Sequence, residues 1–145
     1  MSITFEVDGI PKGQPRPRAF SIHGKARVYS ANTAEAWKSA IALAAKPHRP
    51  KAPIECPVSV SISHFMPRPK SHYGKRGLKE NAPTVHASKP DVDNLLKAAL
   101  DALTSIGYWR DDAQVWHTTV TKIYGDFSGA TITISTEDHH AGEVG

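Results

Sequence analysis

The sequence has few of the features that define disulfide-linked, zinc-ribbon and membrane proteins. Of its 145 residues only Cys56 is a cysteine, so neither an internal disulfide nor a zinc site built on a cysteine pair can form. We expect this cysteine to behave as a small buried hydrophobe. No apolar run approaches the roughly 18 residues that a membrane span needs, and residues 1–9 lack the plan of a secretory signal. These absences favour a protein of the reducing cytoplasm without a membrane anchor.

Acids are scarce in the first two thirds of the chain. Residues 10–90 hold 15 of the 18 Lys and Arg but only three acids, whereas residues 91–145 hold three basic residues and nine acids. This segregation predicts a surface for a polyanion such as nucleic acid beside a carboxylate-rich site, although a merely solvated basic surface would look the same. Candidate phosphate contacts, with strongly salt-dependent binding, are Arg16, Arg18, Lys25, Arg27, Lys75, Arg76 and Lys89.

Hydrophobic periodicity predicts the regular elements. Alternating apolar residues indicate strands at 3–9, 57–66, 114–124 and 130–136, the last two joined by the turn GDFSG. Apolar residues at helical spacing indicate one helix from Asn32 or Thr33 to Lys46 and a second, stronger one over 91–106, with Gly107 as its C′ residue.

Proline, glycine and polar residues mark the connections. Residues 10–29 are expected to form a loop or irregular ribbon, and 67–90 a long polar loop that could close over a ligand. The tail 137–145 is expected to be flexible. The order β-α-β-loop-α-β-β predicts one α/β (α+β) domain over 1–145, with two main helices packed on a mixed sheet.

Four acids stand where carboxylate chemistry is plausible. Asp91 and Asp93 open the second helix, and Asp111 and Asp112 follow it closely before a strand. Converging carboxylates repel one another, and a hard cation such as Mg²⁺ resolves that conflict and can promote phosphodiester hydrolysis. Lys97, four residues beyond Asp93, is a candidate for stabilising phosphate charge.

Purely structural explanations fit the same spacing. Acids at a helix start interact favourably with the helix dipole, and Asp111–Asp112 could be ordinary turn residues. Lys97 could simply pair with Asp93 and Asp101 on the helix surface. On spacing alone, this interpretation is the stronger one.

Residues 91–115, DVDNLLKAALDALTSIGYWRDDAQV, closely resemble the signature of RusA-type Holliday junction resolvases from phages and prophages. The family pattern joins a D-x-D-N-x-x-K-A-x-x-D-A-L core to a G-aromatic-W step and a D-D-x-Q-V run. Pro90 stands where some members have a basic residue, and Lys89 carries the charge here.

The resemblance implies a Mg²⁺-dependent endodeoxyribonuclease, with Mn²⁺ as a possible substitute and no small-molecule cofactor. Asp91, Asp93 and Asp112 would bind the metal and act in catalysis, with Lys97 as an essential cation and Asp111 as a supporting acid. The family forms homodimers that resolve Holliday junctions, which are four-way branched DNA, by paired symmetric nicks in DNA recombination and repair. A broader nuclease of branched DNA or flaps, and a DNA junction-binding module without catalysis, are the alternatives.

The three tryptophans are interpreted as structural. Trp109 and Trp116 flank the Asp111–Asp112 pair and are expected to anchor it against the core, and Trp37 is expected in the core or an interface. No histidine has metal-site spacing, and none is assigned a function.

Overall fold

The computed structural model describes residues 1–14, 18–22, 25–29 and 32–137, with the side chains of 18–22, 25–29, 32 and 33 left out. Arg16 and most of the predicted flexible tail, residues 138–145, therefore lie outside the described residues. The elements in chain order are β1 (Ser2–Asp8), β2 (Arg18–Ile22), β3 (Lys25–Tyr29), α1 (Asn32–Ala45), β4 (Val58–Met66), β5 (Tyr73–Gly74), β6 (Gly77–Leu78), α2 (Val92–Ser105), β7 (Val115–Tyr124) and β8 (Gly129–Thr136).

The main sheet has four strands in the order β1-β8-β4-β7. Strand β4 is parallel to β7 and antiparallel to β8, so the predicted mixed sheet is confirmed. The turn after β7 does not close a hairpin, because β8 lies on the far side of β4. It crosses the end of β4 instead, where the Gly125 amide donates to the Met66 carbonyl at 3.1 Å. Strand β7 is left at the edge of the sheet.

Both helices pack on one face of this sheet. Alternate residues of β4, including Val58, Val60 and Ile62, are buried against them, while the intervening serines face outward. On that outer face Thr4 and Thr133 hydrogen-bond through their hydroxyls at 3.0 Å. This one-sided burial is usual for a largely antiparallel sheet and explains the period-two pattern of the sequence.

Helix α2 begins and ends close to the predicted positions. Its fully buried residues are Leu95, Ala98, Ala99, Ala102 and Leu103. Not every apolar residue of the helix is buried, because Val92, in the first turn, is 46% exposed. Small alanines on this face allow α2 to pack against α1.

Two expectations about connections need correction. Residues 18–22 and 25–29 are not irregular, because β2 and β3 pair as antiparallel strands. The 67–90 segment is not structureless: β5 and β6 form a short hairpin. Its end is attached to β7, where the Tyr124 amide donates to the Thr84 carbonyl at 2.9 Å and the His86 amide to the Lys122 carbonyl at 3.1 Å.

In the described part of the chain, no helix combines the length and apolar character needed to cross a membrane.

Candidate active site

The first acid cluster lies at the start of α2. Asp91 is the N-cap residue with extended backbone angles (φ −73°, ψ 151°), and its side chain makes no capping hydrogen bond. Its backbone carbonyl accepts from the Leu95 amide at 3.1 Å. Asp93 lies in the first turn, and both carboxylates are exposed. The start of α2 therefore presents two carboxylates to solvent or to a ligand.

The basic N-terminal segment begins against this same turn. The Gln14 amide donates to the Asn94 carbonyl at 2.9 Å. A Cβ on Gly13 would lie 2.8 Å from the Asn94 Cβ, so only glycine permits this close approach. The β2–β3 hairpin, with Arg18, Lys25 and Arg27, follows directly along the chain.

The other end of α2 is closed by a complete glycine C-cap. Gly107 has a φ of +80°. Its amide donates to the Thr104 carbonyl and the Tyr108 amide to the Leu103 carbonyl, both at 3.1 Å. This pair of bonds is the Schellman arrangement, and it turns the chain sharply at the end of the helix.

The second acid cluster follows this turn. Asp111 caps the 3₁₀ turn Asp112–Gln114 by accepting from the Ala113 amide at 2.8 Å. The Gln114 amide oxygen accepts from the backbone amides of Arg110 and Asp111 at 2.9 and 3.1 Å. Asp111 is therefore a structural cap. Asp112 is also exposed, and its carboxylate makes no capping bond of this kind.

Gln114 also ties this turn to the rest of the protein. Its side-chain amide donates to the carbonyls of Ile54 and Cys56 at 2.8 and 3.2 Å. Sequence reasoning included Gln114 in the family pattern without giving it a role. The family pattern was the only sign of its importance in the sequence, because the hydrogen-bond partners of Gln114 are about 60 residues away in the chain.

The interpretation of the tryptophans is right for two of the three residues. Trp109 is 1% exposed and donates to the Thr104 hydroxyl at 2.8 Å, so it anchors the turn as expected. Trp116 is 58% exposed because it lies on the edge strand β7, and its predicted core role is wrong. Trp37 is 2% exposed and belongs to the core.

Lys97 forms an ion pair with Asp101, one turn further along α2. Its ammonium lies 3.1 Å from a carboxylate oxygen of Asp101. Asp101 in turn lines a surface cavity of about 400 Å³. The residues around that cavity are Asp101, Thr104, Ser105, Arg110, Asp111 and Asp112.

The two acid clusters are thus at opposite ends of α2. Asp101, which shares the cavity with Asp112, lies ten residues beyond Asp91, or about 15 Å along a helix axis. Within the described ranges of one chain, no group of three or more acids, histidines or cysteines is arranged to hold a metal ion. Asp91 and Asp93 are neighbours at one end of α2, and Asp111 and Asp112 are neighbours beyond its other end. The fold of a single chain does not bring the two pairs together.

The remaining predicted phosphate contacts whose side chains the structure describes are all exposed. Lys75 and Arg76 form the exposed turn between β5 and β6, and exposed Lys89 lies two residues before Asp91. They are placed where a polyanion could reach them.

The buried histidines bind protons less readily than an ordinary histidine does. His64 is fully buried on β4, and burial lowers its pKa to about 4. Burial also lowers the pKa of His86, with a further contribution from the charge of Lys122. The His64 imidazole is therefore neutral at physiological pH.

Exposed carboxylates beside basic loops are suited to phosphodiester hydrolysis, and comparison with known proteins places the chain among the endodeoxyribonucleases. The family model described as Endodeoxyribonuclease RusA matches residues 8–135. The chain belongs to this family, as its 91–115 signature predicted.

Individual relatives agree. Protein YqaN of Bacillus subtilis (strain 168) is 38% identical over 130 residues, which are 86% of this chain and 89% of that protein. The crossover junction endodeoxyribonuclease RusA of Escherichia coli (strain K12) is 28% identical over 109 residues, 75% of this chain and 76% of its own. The crossover junction endodeoxyribonuclease of Enterobacteria phage 82 matches with the same identity and coverage.

Proposed function

We propose that this chain is a homodimeric, Mg²⁺-dependent nuclease that resolves four-way DNA junctions by paired, symmetric nicks. The observation that carries the proposal is the family match over residues 8–135, which includes every acid of the candidate site. The relatives named as crossover junction endodeoxyribonucleases support the junction as substrate.

The candidate carboxylates provide the donor chemistry that Mg²⁺ prefers, since hard cations bind oxygen ligands. Within one chain, Asp91 and Asp93 do not fit a site shared with Asp112, because α2 separates them. Two copies of the chain remove this obstacle if each contributes one end of α2 to a common site. When bound, the ion would lower the pKa of a water molecule and offset phosphate charge.

The orientation of β7 favours such sharing. The cavity at Asp112 lies at the start of β7, whereas Lys122 near the end of β7 donates to the Pro90 carbonyl, next to Asp91, at 2.8 Å. Strand β7 is an edge strand of the sheet, and residues 84–86 bond to its backbone near its end, at Lys122 and Tyr124. A two-fold axis across the middle of β7 would set the Asp112 end of each copy beside the Asp91 end of the other. Two equal sites result, as paired nicks require.

The protein's own side chains would hold the DNA around this site. Lys75, Arg76 and Lys89 are exposed and can neutralise phosphates. Lys97 lies one turn inside the helix, and its side chain is 60% exposed while its ammonium pairs with Asp101. We propose that this cation stabilises the charge that develops on the phosphate.

The experiment offers the protein a synthetic four-way junction and a matched duplex, with Mg²⁺ or with EDTA, and repeats the assay with Asp112→Asn. Symmetric nicks on the junction that need Mg²⁺ and vanish in the variant are expected. The variant should bind the junction at least as well as the wild type, because it carries less negative charge beside the phosphates.

Other results would replace the proposal. Equal cutting of junctions, flaps and duplex would indicate a broader branched-DNA nuclease. Tight junction binding without nicks in Mg²⁺ or Mn²⁺ would indicate a binding module. Normal cutting by Asp112→Asn would remove Asp112 from the site.

A further inference from the structure

Lys122 holds the chain immediately before the first candidate acid. Its ammonium donates to the Ser88 carbonyl at 2.7 Å and to the Pro90 carbonyl at 2.8 Å. The Pro90 carbonyl belongs to the peptide that joins Pro90 to Asp91. A side chain of the edge strand thus reaches across to the peptide that precedes the N-cap residue of α2.

The same stretch of β7 also binds this segment through its backbone. The Lys122 carbonyl accepts from the His86 amide at 3.1 Å, and the Tyr124 amide donates to the Thr84 carbonyl at 2.9 Å. Residues 84–90 are therefore attached to β7 at four hydrogen bonds, and Lys122 takes part in three of them.

This attachment bears directly on the direction of the Asp91 carboxylate. On the helical side, the Asp91 carbonyl is fixed by the Leu95 amide. The Asp91 side chain has no capping bond of its own, and the two flanking peptides fix the direction of its Cα–Cβ bond. One of those peptides is set by the helix, and the other is set by Lys122.

The surroundings of Lys122 suit a permanently charged clamp. Its side chain is half-buried, and bonds from a charged donor to carbonyls are stronger than neutral ones. His64 is its neighbour in register on β4 and is neutral at physiological pH, so it does not repel the ammonium. An exposed lysine bound only to water would have neither carbonyl partner.

We propose that Lys122 is a positioning residue, which fixes the peptide before Asp91 and thereby aims the Asp91 carboxylate into the active site. The inference rests on the proposed function for the role of Asp91. The clamp itself is a property of the metal-free chain and can be tested without cleavage.

Three variants of the full chain separate positioning from general stability. Lys122→Met removes the ammonium and keeps most of the stem, and Lys122→Arg keeps a cation that can donate to two carbonyls. Lys38→Met is the matched control, because Lys38 is also partly buried and lies 3.7 Å from its partner, Glu35, on α1.

The first measurement is limited subtilisin digestion in EDTA, with the cuts located by mass spectrometry. Lys122→Met should be cut within residues 84–91 several-fold faster than the wild type, because the segment opens more often. Lys122→Arg and Lys38→Met should be cut there at close to the wild-type rate. Wild-type protection of this segment in Lys122→Met would overturn the clamp.

The second measurement is the single-turnover rate on a four-way junction at saturating Mg²⁺, beside the junction Kd in EDTA. Lys122→Met should cut about 100-fold more slowly, since a displacement near 1 Å can cost that much. Its Kd should stay within about threefold of the wild type, and Lys122→Arg should regain most of the rate. A wild-type rate in Lys122→Met, or a loss that Arg does not restore, would overturn positioning.

The two arms distinguish the inference from its premise. If the wild type makes no nicks in the junction, the proposed function fails. The digestion arm then still decides whether Lys122 holds the segment before Asp91.

Discussion

The two ends of α2 carry similar acids in different settings. At the start, Asp91 and Asp93 lie at the positive end of the helix dipole, close in the chain to Lys89. At the end, Asp111 and Asp112 lie near the negative end, and the turn that carries them is fixed by Gln114. The first pair gains from the helix dipole, whereas the second lies near its negative end, in a turn held by Gln114 and beside Arg110, whose guanidinium is paired with Glu55.

This difference indicates how two copies of the chain could divide the metal ligands between them. Carboxylates near the negative end of a dipole gain more from an added cation than those near the positive end. A rigid Asp112 from one copy, meeting an electrostatically supported Asp91 and Asp93 from another, would give a complete set of oxygen ligands. Neither end is a complete metal site by itself.

The largest expected effect comes from removing charge at the start of α2. Asp91→Asn should lower the junction-cutting rate about 100- to 1000-fold, the usual scale for losing a key electrostatic group. Stability should hardly change, because the Asp91 side chain makes no capping hydrogen bond that the change to Asn could remove. Kinetics with thermal melting test both parts, and Asp126→Asn, in an exposed turn, serves as the control that keeps its rate. Comparable cutting by the two variants would remove Asp91 from the site.

Acid should destabilise the protein through His64, which lies at the Asp91 end of the sheet in register with Lys122. Its pKa of about 4 in the fold is below the ordinary value of 6.5, so the unfolded chain binds the proton more readily. The free energy of unfolding therefore keeps its full value above pH 6.5. It falls by about 3 kcal/mol in total as the pH drops towards 4.

Denaturant unfolding across this pH range tests that prediction. His64→Leu should flatten the pH dependence of the free energy of unfolding, whereas the exposed His117→Leu should leave it unchanged. An unaltered slope in His64→Leu would show that other groups cause the loss.

A smaller effect is expected at the end of α2. Gln114→Ala removes hydrogen bonds to Ile54 and Cys56 and should cost about 1–3 kcal/mol of stability. Cutting should slow by about tenfold because the turn that carries Asp112 loosens.

The control for this change is Glu55→Ala. It breaks an ion pair with Arg110 in which both side chains are about two thirds exposed, and such pairs contribute roughly 0–1 kcal/mol. Equal stability losses in Gln114→Ala and Glu55→Ala would argue that Gln114 has no special part in holding the turn.

Much of the fold could be predicted because its signals are local. The alternation in β4 and β8 and the cap at Gly107 each depend on residues close in the chain. Strand order could not be predicted, since nothing in β7 or β8 indicates that β4 lies between them. The exposure of Trp116 depends on that order, so the error there followed from it.

The candidate site divides in the same way. The signature identified its residues, and the family match confirms the family but does not test their roles. The predicted helix over 91–106 already lies between Asp91 and Asp112, but the sequence could not show whether the chain after the helix returns to the helix start. The contacts of Lys122 were hidden as well, since Ser88 and Pro90 are more than 30 residues away in sequence.

Mixing two inactive variants is the most direct test of a site shared between copies. Asp91→Asn and Asp112→Asn are unfolded and refolded together, and their activity on a four-way junction is compared with each alone. Half of the dimers should be mixed, and each mixed dimer has one intact site, so about a quarter of the wild-type sites should return. These sites should produce single rather than paired nicks. A mixture that forms mixed dimers but cuts no better than either variant alone would contradict the shared site.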